Sequence, residues 1–364
     1  MDKHLLYMRK AIQAAEKARG KCSPNPFVGA AIVKHDKIVA TGWTQSYGSD
    51  HAEVQALKKA GDEARNADMY VTLEPCSHYG KTPPCAMAII ASGIKRVFIG
   101  ITDPNPLVEG KGMQMLKDAG IEVQSGLLEA KIRRQLEYHL CYTTLHRPFV
   151  TLKTALSLDG KYAAEDGSSR WISNEAARRY THKLRSQNDV ILTGIQTILI
   201  DNPLLNVRLK GKHKQPLRVV LDTKLLLPLD SAFATTMPDY PSLIFCDALL
   251  ADSPKAFRLK EMGAIVKGLA LHDGHFDLLE VLQQLASLGY YSVLIESGSG
   301  LAESFLKAHL VDKCLFFYGA KILGGSKSPL SKLGRININE AIELTDIQLK
   351  RLGDNFLISG YPIY

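Results

Sequence analysis

The sequence predicts an α/β protein of two domains, and three observations carry that prediction. The chain has 364 residues, against about 100–200 for one domain. Strand patterns alternate with helix patterns along its whole length, which implies sheets covered by helices. At His146-Arg147-Pro148 a charged helical stretch gives way to FVTLKTALSLDGK, a strand entering a turn. Pro148 lacks a ladder donor and suits the first position of a strand. The expected domains are therefore residues 1–146 and 147–364.

In the first part, Leu5, Met8, Ile12 and Ala15 recur at helical spacing and predict a helix over 3–19. Residues 28–33 and 37–42 form a hairpin. A helix follows from His51, then a strand at 69–73, a helix from Cys85, a strand at 96–101, a helix over 111–119 and a short strand at 121–124. In the second part, strands are expected at 149–155, 190–193, 218–221, 243–246, 292–296 and 313–318. Helices are expected at 175–186, 278–288 and 301–308.

Composition removes several classes. Forty-six per cent hydrophobic and 23% charged residues are ordinary globular values and exclude fibrous or wholly disordered chains. The longest nearly apolar run, Ala86 to Ala91, is far short of a membrane span. The amphipathic start lacks the compact apolar stretch of an export signal, so a cytoplasmic protein with no membrane partner is expected. Its six cysteines then read as reduced thiols, some able to bind metal. The net charge of +8 divides evenly, +4 in each part, with no basic tail to grip nucleic acid.

One constellation in the first part carries chemistry. His51-Ala52-Glu53 opens a helix, the strand MYVTL runs into Glu74-Pro75-Cys76, and Cys85 opens the next helix after Pro83-Pro84. One imidazole and two thiolates make three zinc ligands and leave the fourth tetrahedral corner for water, the arrangement of a catalytic zinc. His51 and Glu53, two apart, can both face a metal only at a helix N-terminus, and Asp50 is the expected N-cap. Glu53 then stays unligated and serves as general acid/base beside water whose pKa zinc lowers to about 7.

The pattern H-x-E…P-C resembles the zinc nucleobase deaminases. The second cysteine departs from them, coming after eight intervening residues instead of two. That longer segment, Cys76-Ser-His-Tyr-Gly-Lys-Thr-Pro-Pro-Cys85, together with PNPFVGA at 24–30, resembles the deaminase half of the bifunctional riboflavin-biosynthesis deaminase/reductases. The resemblance implies a cytidine-deaminase-like α/β/α sandwich. It makes Asn25 a ring contact, and the inserted loop offers His78 and Lys81 to a phosphorylated pyrimidine.

The second part says less by itself. Strand YSVLIE leads through Ser297-Gly298-Ser299-Gly300 into a helix, where backbone N–H groups and the helix dipole can receive a phosphate. The dinucleotide fingerprint G-x-G-x-x-G would need glycine where Glu303 stands, so an ordinary Rossmann domain is disfavoured. KTALSLDGKYA, GSSRWIS, DVILTGIQTILIDNPLLNVR and VLIESGSGLAESFL resemble the reductase half of the same family, which implies a dihydrofolate-reductase-like fold using NADPH. By position the resemblance implies cofactor contacts at Ala155, Trp171, Thr197, Asp201, Thr223 and the run Gly298, Ser299, Gly300, Leu301, Ala302, Glu303 and Ser304. It implies substrate contacts at Ser169, Arg185, Leu205, Arg208 and Glu296, with Arg185 and Arg208 as forks for the substrate phosphate. Lys153 is expected near the ribose.

The implied reaction is hydrolytic deamination of 2,5-diamino-6-(5-phosphoribosylamino)pyrimidin-4-one to 5-amino-6-(5-phosphoribosylamino)uracil, then NADPH-dependent reduction of the ribosyl group to a ribityl chain. The family also implies a homo-oligomer built through the second domain. The alternative is a tRNA-base deaminase with an accessory α/β domain, which should show a basic, aromatic-bearing channel. A non-enzymatic module stapled by zinc would need a fourth protein ligand.

Overall fold

The computed structural model describes residues 3–211, 213–334 and 337–364. Two compact units divide the chain, Met1–Arg147 and Pro148–Tyr364.

Unit 1 runs α1 (Lys3–Ala15), β1 (Gly29–Lys34), β2 (Lys37–Trp43), α2 (Ala52–Ala60), β3 (Asp68–Leu73), α3 (Cys85–Ala91), β4 (Arg96–Ile101), α4 (Lys111–Asp118), β5 (Glu122–Ser125), α5 (Glu129–Gln135) and α6 (Glu137–Leu145). Its sheet has the order β2-β1-β3-β4-β5; β1 is antiparallel to both neighbours, while β3, β4 and β5 are parallel. Two glycines show how closely the helices approach. A Cβ on Gly29 would stand 2.0 Å from the Ala11 carbonyl oxygen of α1. One on Gly42, which pairs with Ala30, would stand 2.1 Å from that of Ala52 in α2. Gly29 and Ala30 point to opposite faces of the strand, so α1 and α2 cover opposite faces and make the sandwich. Tyr70, Met69, Ile32 and Ile99 fill the core between them.

The end of β3 is tied down by its own sequence. The buried Glu74 carboxylate accepts from the backbone N–H groups of Gly110 and Met113, 3.1 Å each, and of Asp103 at 3.3 Å. A carboxylate suits the positive N-terminal end of α4. The following Pro75-Cys76 is thereby held in place.

Unit 2 continues with β6 (Phe149–Ser157), α7 (Glu175–Gln187), β7 (Val190–Gly194), α8 (Ile195–Asp201), β8 (Leu217–Leu221), α9 (Ala232–Thr235), β9 (Ser242–Asp247), α10 (Pro254–Glu261), β10 (Ile265–Leu269), the two-residue strands β11 (Leu271–His272) and β12 (His275–Phe276), α11 (Leu278–Ser287), β13 (Ser292–Glu296), α12 (Ser299–Lys307), β14 (Lys313–Gly319), β15 (Glu343–Leu352) and β16 (Asn355–Ile363). Its large sheet has the order β10-β9-β8-β7-β13-β6-β14-β16-β15, parallel from β10 to β14 and antiparallel thereafter. VILTG, LRVVL and SVLIE are nearly all apolar because both faces are buried. One face packs on Val281, Leu285 and Phe305 of α11 and α12; the other packs on Phe233, Ala256 and Leu259 of α9 and α10. Since β13 returns to lie between β6 and β7, the carboxyl ends of these three strands enclose a crevice, the usual ligand position in such sheets.

The sequence expectations differ from the structure in several places. Helix α1 stops at Ala15, not at residue 19, and α12 begins at Ser299, two residues before 301. The hairpin β15–β16, the short helices α8 to α10 and strand β10 were not foreseen.

Two candidate active sites

In unit 1 the three expected ligands meet. His51 Nδ1 lies 3.7 Å from Cys76 Sγ and 3.2 Å from Cys85 Sγ, and the three donor atoms lie within 4.8 Å of one another. Around a tetrahedral zinc, bond lengths of about 2.0–2.1 Å to nitrogen and 2.3 Å to sulfur put nitrogen and sulfur about 3.6 Å apart. The cluster therefore fits the ion. No fourth His, Cys, Asp or Glu joins the group among the described residues.

Each ligand is placed by the end of an element. His51, not the expected Asp50, is the N-cap of α2, with extended backbone at φ −74° and no side-chain cap bond. Asp50 instead accepts from Lys58, 2.7 Å away, while His51 turns its ring to the thiols. Cys76 follows the pinned end of β3, and Cys85 is the first residue of α3 after Pro84. The Cys85 N–H donates to Cys76 Sγ at 3.3 Å. A hydrogen bond from the Cys85 thiol, reinforced by His51, pulls the Cys76 thiol down to about 4. Glu53, in the first turn of α2, is only 3% exposed, and burial pushes its carboxyl up to about 7. A group so placed can both take and give a proton near neutrality.

The ring-binding candidate Asn25 sits in a closely held loop. Its N–H donates to the Cys22 carbonyl, and Thr44 Oγ1 accepts from the Val28 N–H while donating to the Pro26 carbonyl. His78 and Lys81 are exposed on the segment joining the two cysteines.

In unit 2 a cleft of about 320 Å³ opens at the carboxyl ends of β6, β7 and β13. The expected residues Lys153, Ala155, Ser169, Arg185, Thr197, Asp201, Leu205, Glu296, Gly298, Ser299 and Ala302 all line it. Gly298 caps α12 and its N–H donates to Thr197 Oγ1 at 3.3 Å. Built Cβ atoms on Gly298 and Gly300 would meet nothing within 4 Å. Bare backbone at a helix N-terminus can receive a phosphate.

Other expected contacts do not line the cleft. Trp171 is 59% exposed with its ring beside Arg178, and Thr223, Gly300, Leu301, Ser304 and Arg208 lie outside the lining. Glu303 is buried and its carboxylate accepts from the Lys332 N–H at 2.8 Å, so its side chain is spent on holding a loop. Arg185 is not a free phosphate fork. Its Nε and Nη2 donate to Glu296 at 2.6 and 3.0 Å, and Nη1 donates to the Asn206 carbonyl. Arg208 donates to Asn206 Oδ1 at 2.6 Å. Against the cost of burial, Arg185 and Lys153 hold the Glu296 carboxyl down to about 2; burial in turn lowers the Lys153 ammonium. Sequence reasoning missed Glu74 and Thr44, whose polar side chains at the ends of strands gave no sign of what they grip.

Comparison with known proteins agrees with both halves. Residues 1–101 match the model of the cytidine and deoxycytidylate deaminase zinc-binding region, and residues 148–358 match that of the RibD C-terminal domain. The riboflavin biosynthesis protein RibD of Bacillus amyloliquefaciens is 44% identical, covering 98% of this chain and 95% of its own. That of Aquifex aeolicus is 40% identical, covering 97% and 96%. Among solved structures, Acinetobacter baumannii RibD is 34% identical with a TM-score of 0.89, covering 100% of this chain and 99% of its own. The Thermotoga maritima diaminohydroxyphosphoribosylaminopyrimidine deaminase/5-amino-6-(5-phosphoribosylamino)uracil reductase is 35% identical with a TM-score of 0.86, covering 99% of both.

Proposed function

The chain belongs to the RibD family of bifunctional riboflavin-biosynthesis deaminase/reductases, and we propose that its two activities rest on the two residue sets described above. The zinc deaminase is N-terminal and the NADPH-dependent reductase C-terminal. With full-length relatives of this name, the reading as a tRNA-base deaminase is set aside.

In unit 1, His51, Cys76 and Cys85 hold the zinc. When bound, the ion makes water a nucleophile at neutral pH. Glu53 takes the proton of the attacking water and passes it to the departing amine, so that ammonia leaves. Asn25 orients the pyrimidine, and His78 and Lys81 receive its phosphorylated end. The observation that carries this reading is the meeting of one imidazole and two sulfurs beside a buried, unligated carboxylate.

In unit 2, NADPH supplies the reducing equivalent when bound. The backbone of 298–300, with Ala302, Thr197, Asp201 and Ala155, binds it; Trp171, Thr223, Leu301, Glu303 and Ser304 lie outside the cleft lining. The Lys153–Glu296–Arg185 group faces the ribosyl unit, with Lys153 Nζ 3.8 Å from Glu296 and able to donate to a sugar oxygen. Ser169, Leu205 and Arg208 complete the substrate end. Among the described residues no helix is long and apolar enough to cross a membrane; we place the enzyme in the cytoplasm. We also read it as a homo-oligomer joined through unit 2. The hairpin β15–β16 supports this, since Ile347, Leu349, Phe356 and Ile363 are exposed on it.

Cys85→Ala tests the metal assignment. Zinc content and ammonia release should both collapse, while NADPH oxidation with the already deaminated pyrimidine persists. Undiminished ammonia release would remove Cys85 from the site.

A further inference from the structure

The segment between Cys76 and Cys85 is longer than metal binding requires, and the structure shows what part of it does. Lys81, near its middle, projects back onto the loop that leads into the third ligand, His51. Its Nζ lies 4.2 Å from the centroid of the Tyr47 ring. Beside that ring, Gly48 has φ +83°, and a Cβ there would stand 3.6 Å from Lys81 Cδ. The lysine stem therefore lies along bare glycine backbone and ends over an aromatic face. The receiving loop is itself closed by Gln45 N–H to the Asp50 carbonyl at 3.0 Å and Ser49 N–H to the Ser46 carbonyl at 2.9 Å. The donating loop is braced by Tyr79, whose hydroxyl donates to Met87 Sδ at 3.4 Å. Among the described residues no carboxylate pairs with Lys81.

We propose that Tyr47 is a positioning residue for deamination: its ring holds the Lys81 ammonium, on the segment between the two cysteines, ready to take the phosphate of the substrate. This deepens, and rests on, the reading of Lys81 as a substrate contact. A free lysine has a long stem to order and three N–H donors to aim. An aromatic face attracts the ammonium without consuming its hydrogen bonds to oxygen, so the donors turned away from the ring remain for a dianion. A carboxylate partner in the same place would instead compete with that anion. The arrangement orders the lysine before the substrate arrives and so lowers the cost of binding.

The test uses the zinc-loaded full chain and measures ammonia release from the phosphorylated substrate and from its dephosphorylated counterpart. Tyr47→Leu should raise KM for the phosphorylated compound about two- to five-fold, the size of an exposed cation–π contact. It should leave kcat, zinc content and KM for the dephosphorylated compound unchanged. Tyr47→Phe keeps the ring and should restore the KM. If Tyr47→Leu has no effect while Lys81→Ala weakens the phosphorylated substrate, the positioning role is wrong and the Lys81 contact stands. If Lys81→Ala also has no effect, the contact itself is wrong. Equal rises in both KM values for Tyr47→Leu, or no restoration by Tyr47→Phe, would likewise overturn the proposal.

Discussion

Replacing Glu53 by glutamine is expected to cut ammonia release by about 10²–10⁴-fold, the usual worth of a positioned acid/base. The substitution keeps the volume and polarity of a side chain that is almost wholly buried in the first turn of α2. It leaves His51, Cys76 and Cys85 untouched, so zinc content should not change. What glutamine cannot do is accept a proton from water and surrender it to an amine. Supplied with the deaminated pyrimidine, the same variant should oxidise NADPH at the parent rate, because the cleft of unit 2 shares no residue with the zinc cluster. Ammonia release near the parent rate would take the proton-shuttling role away from Glu53.

The second large effect is expected at Arg185. Its guanidinium and Glu296 form a two-pronged pair with side chains only 11% and 10% exposed. Arg185→Met leaves a buried carboxylate whose remaining ion-pair partner is Lys153 at 3.8 Å. Removing one partner of a buried pair typically costs about 3–5 kcal/mol, and the remaining lysine puts this case near the lower end. NADPH oxidation with the deaminated pyrimidine should fall separately, by about 10²-fold, the usual cost of a misplaced substrate-positioning group. Ammonia release should persist. A double variant, Arg185→Met with Glu296→Leu, separates stability from chemistry. It should recover much of the lost thermal stability without recovering reduction. If the single variant reduces substrate normally, the pair is packing and the ribosyl group is held elsewhere.

The parts of this molecule that were legible in the sequence share one physical property: their surroundings are local or uniform. Parallel strands such as VILTG and SVLIE are mostly apolar because helices cover both faces, and that pattern survives in one dimension. Cys76 and Cys85 were legible because each stands where a strand ends or a helix begins, and prolines mark both places. Strand β15 was not, because most of it is exposed on both faces and carries no alternation. Its register with β16 also shifts between Thr345 and Gln348, where Asp346 takes φ +54°. Roles that depend on distant partners were illegible as well. Nothing near Arg185 announces that Glu296, 111 residues away, will occupy its fork. Nothing near Glu303 announces the backbone of Lys332. The contact of Tyr47 with Lys81 exists only once two loops are folded against each other.

X-ray absorption at the zinc edge of the protein as purified would bear most directly on all of this. One zinc per chain with two sulfur neighbours at about 2.3 Å and two lighter neighbours at about 2.0–2.1 Å, one of them an imidazole, is the expected sphere. A shell of three or four sulfurs, a second imidazole, or a chain that holds no zinc when supplied with it would contradict the account.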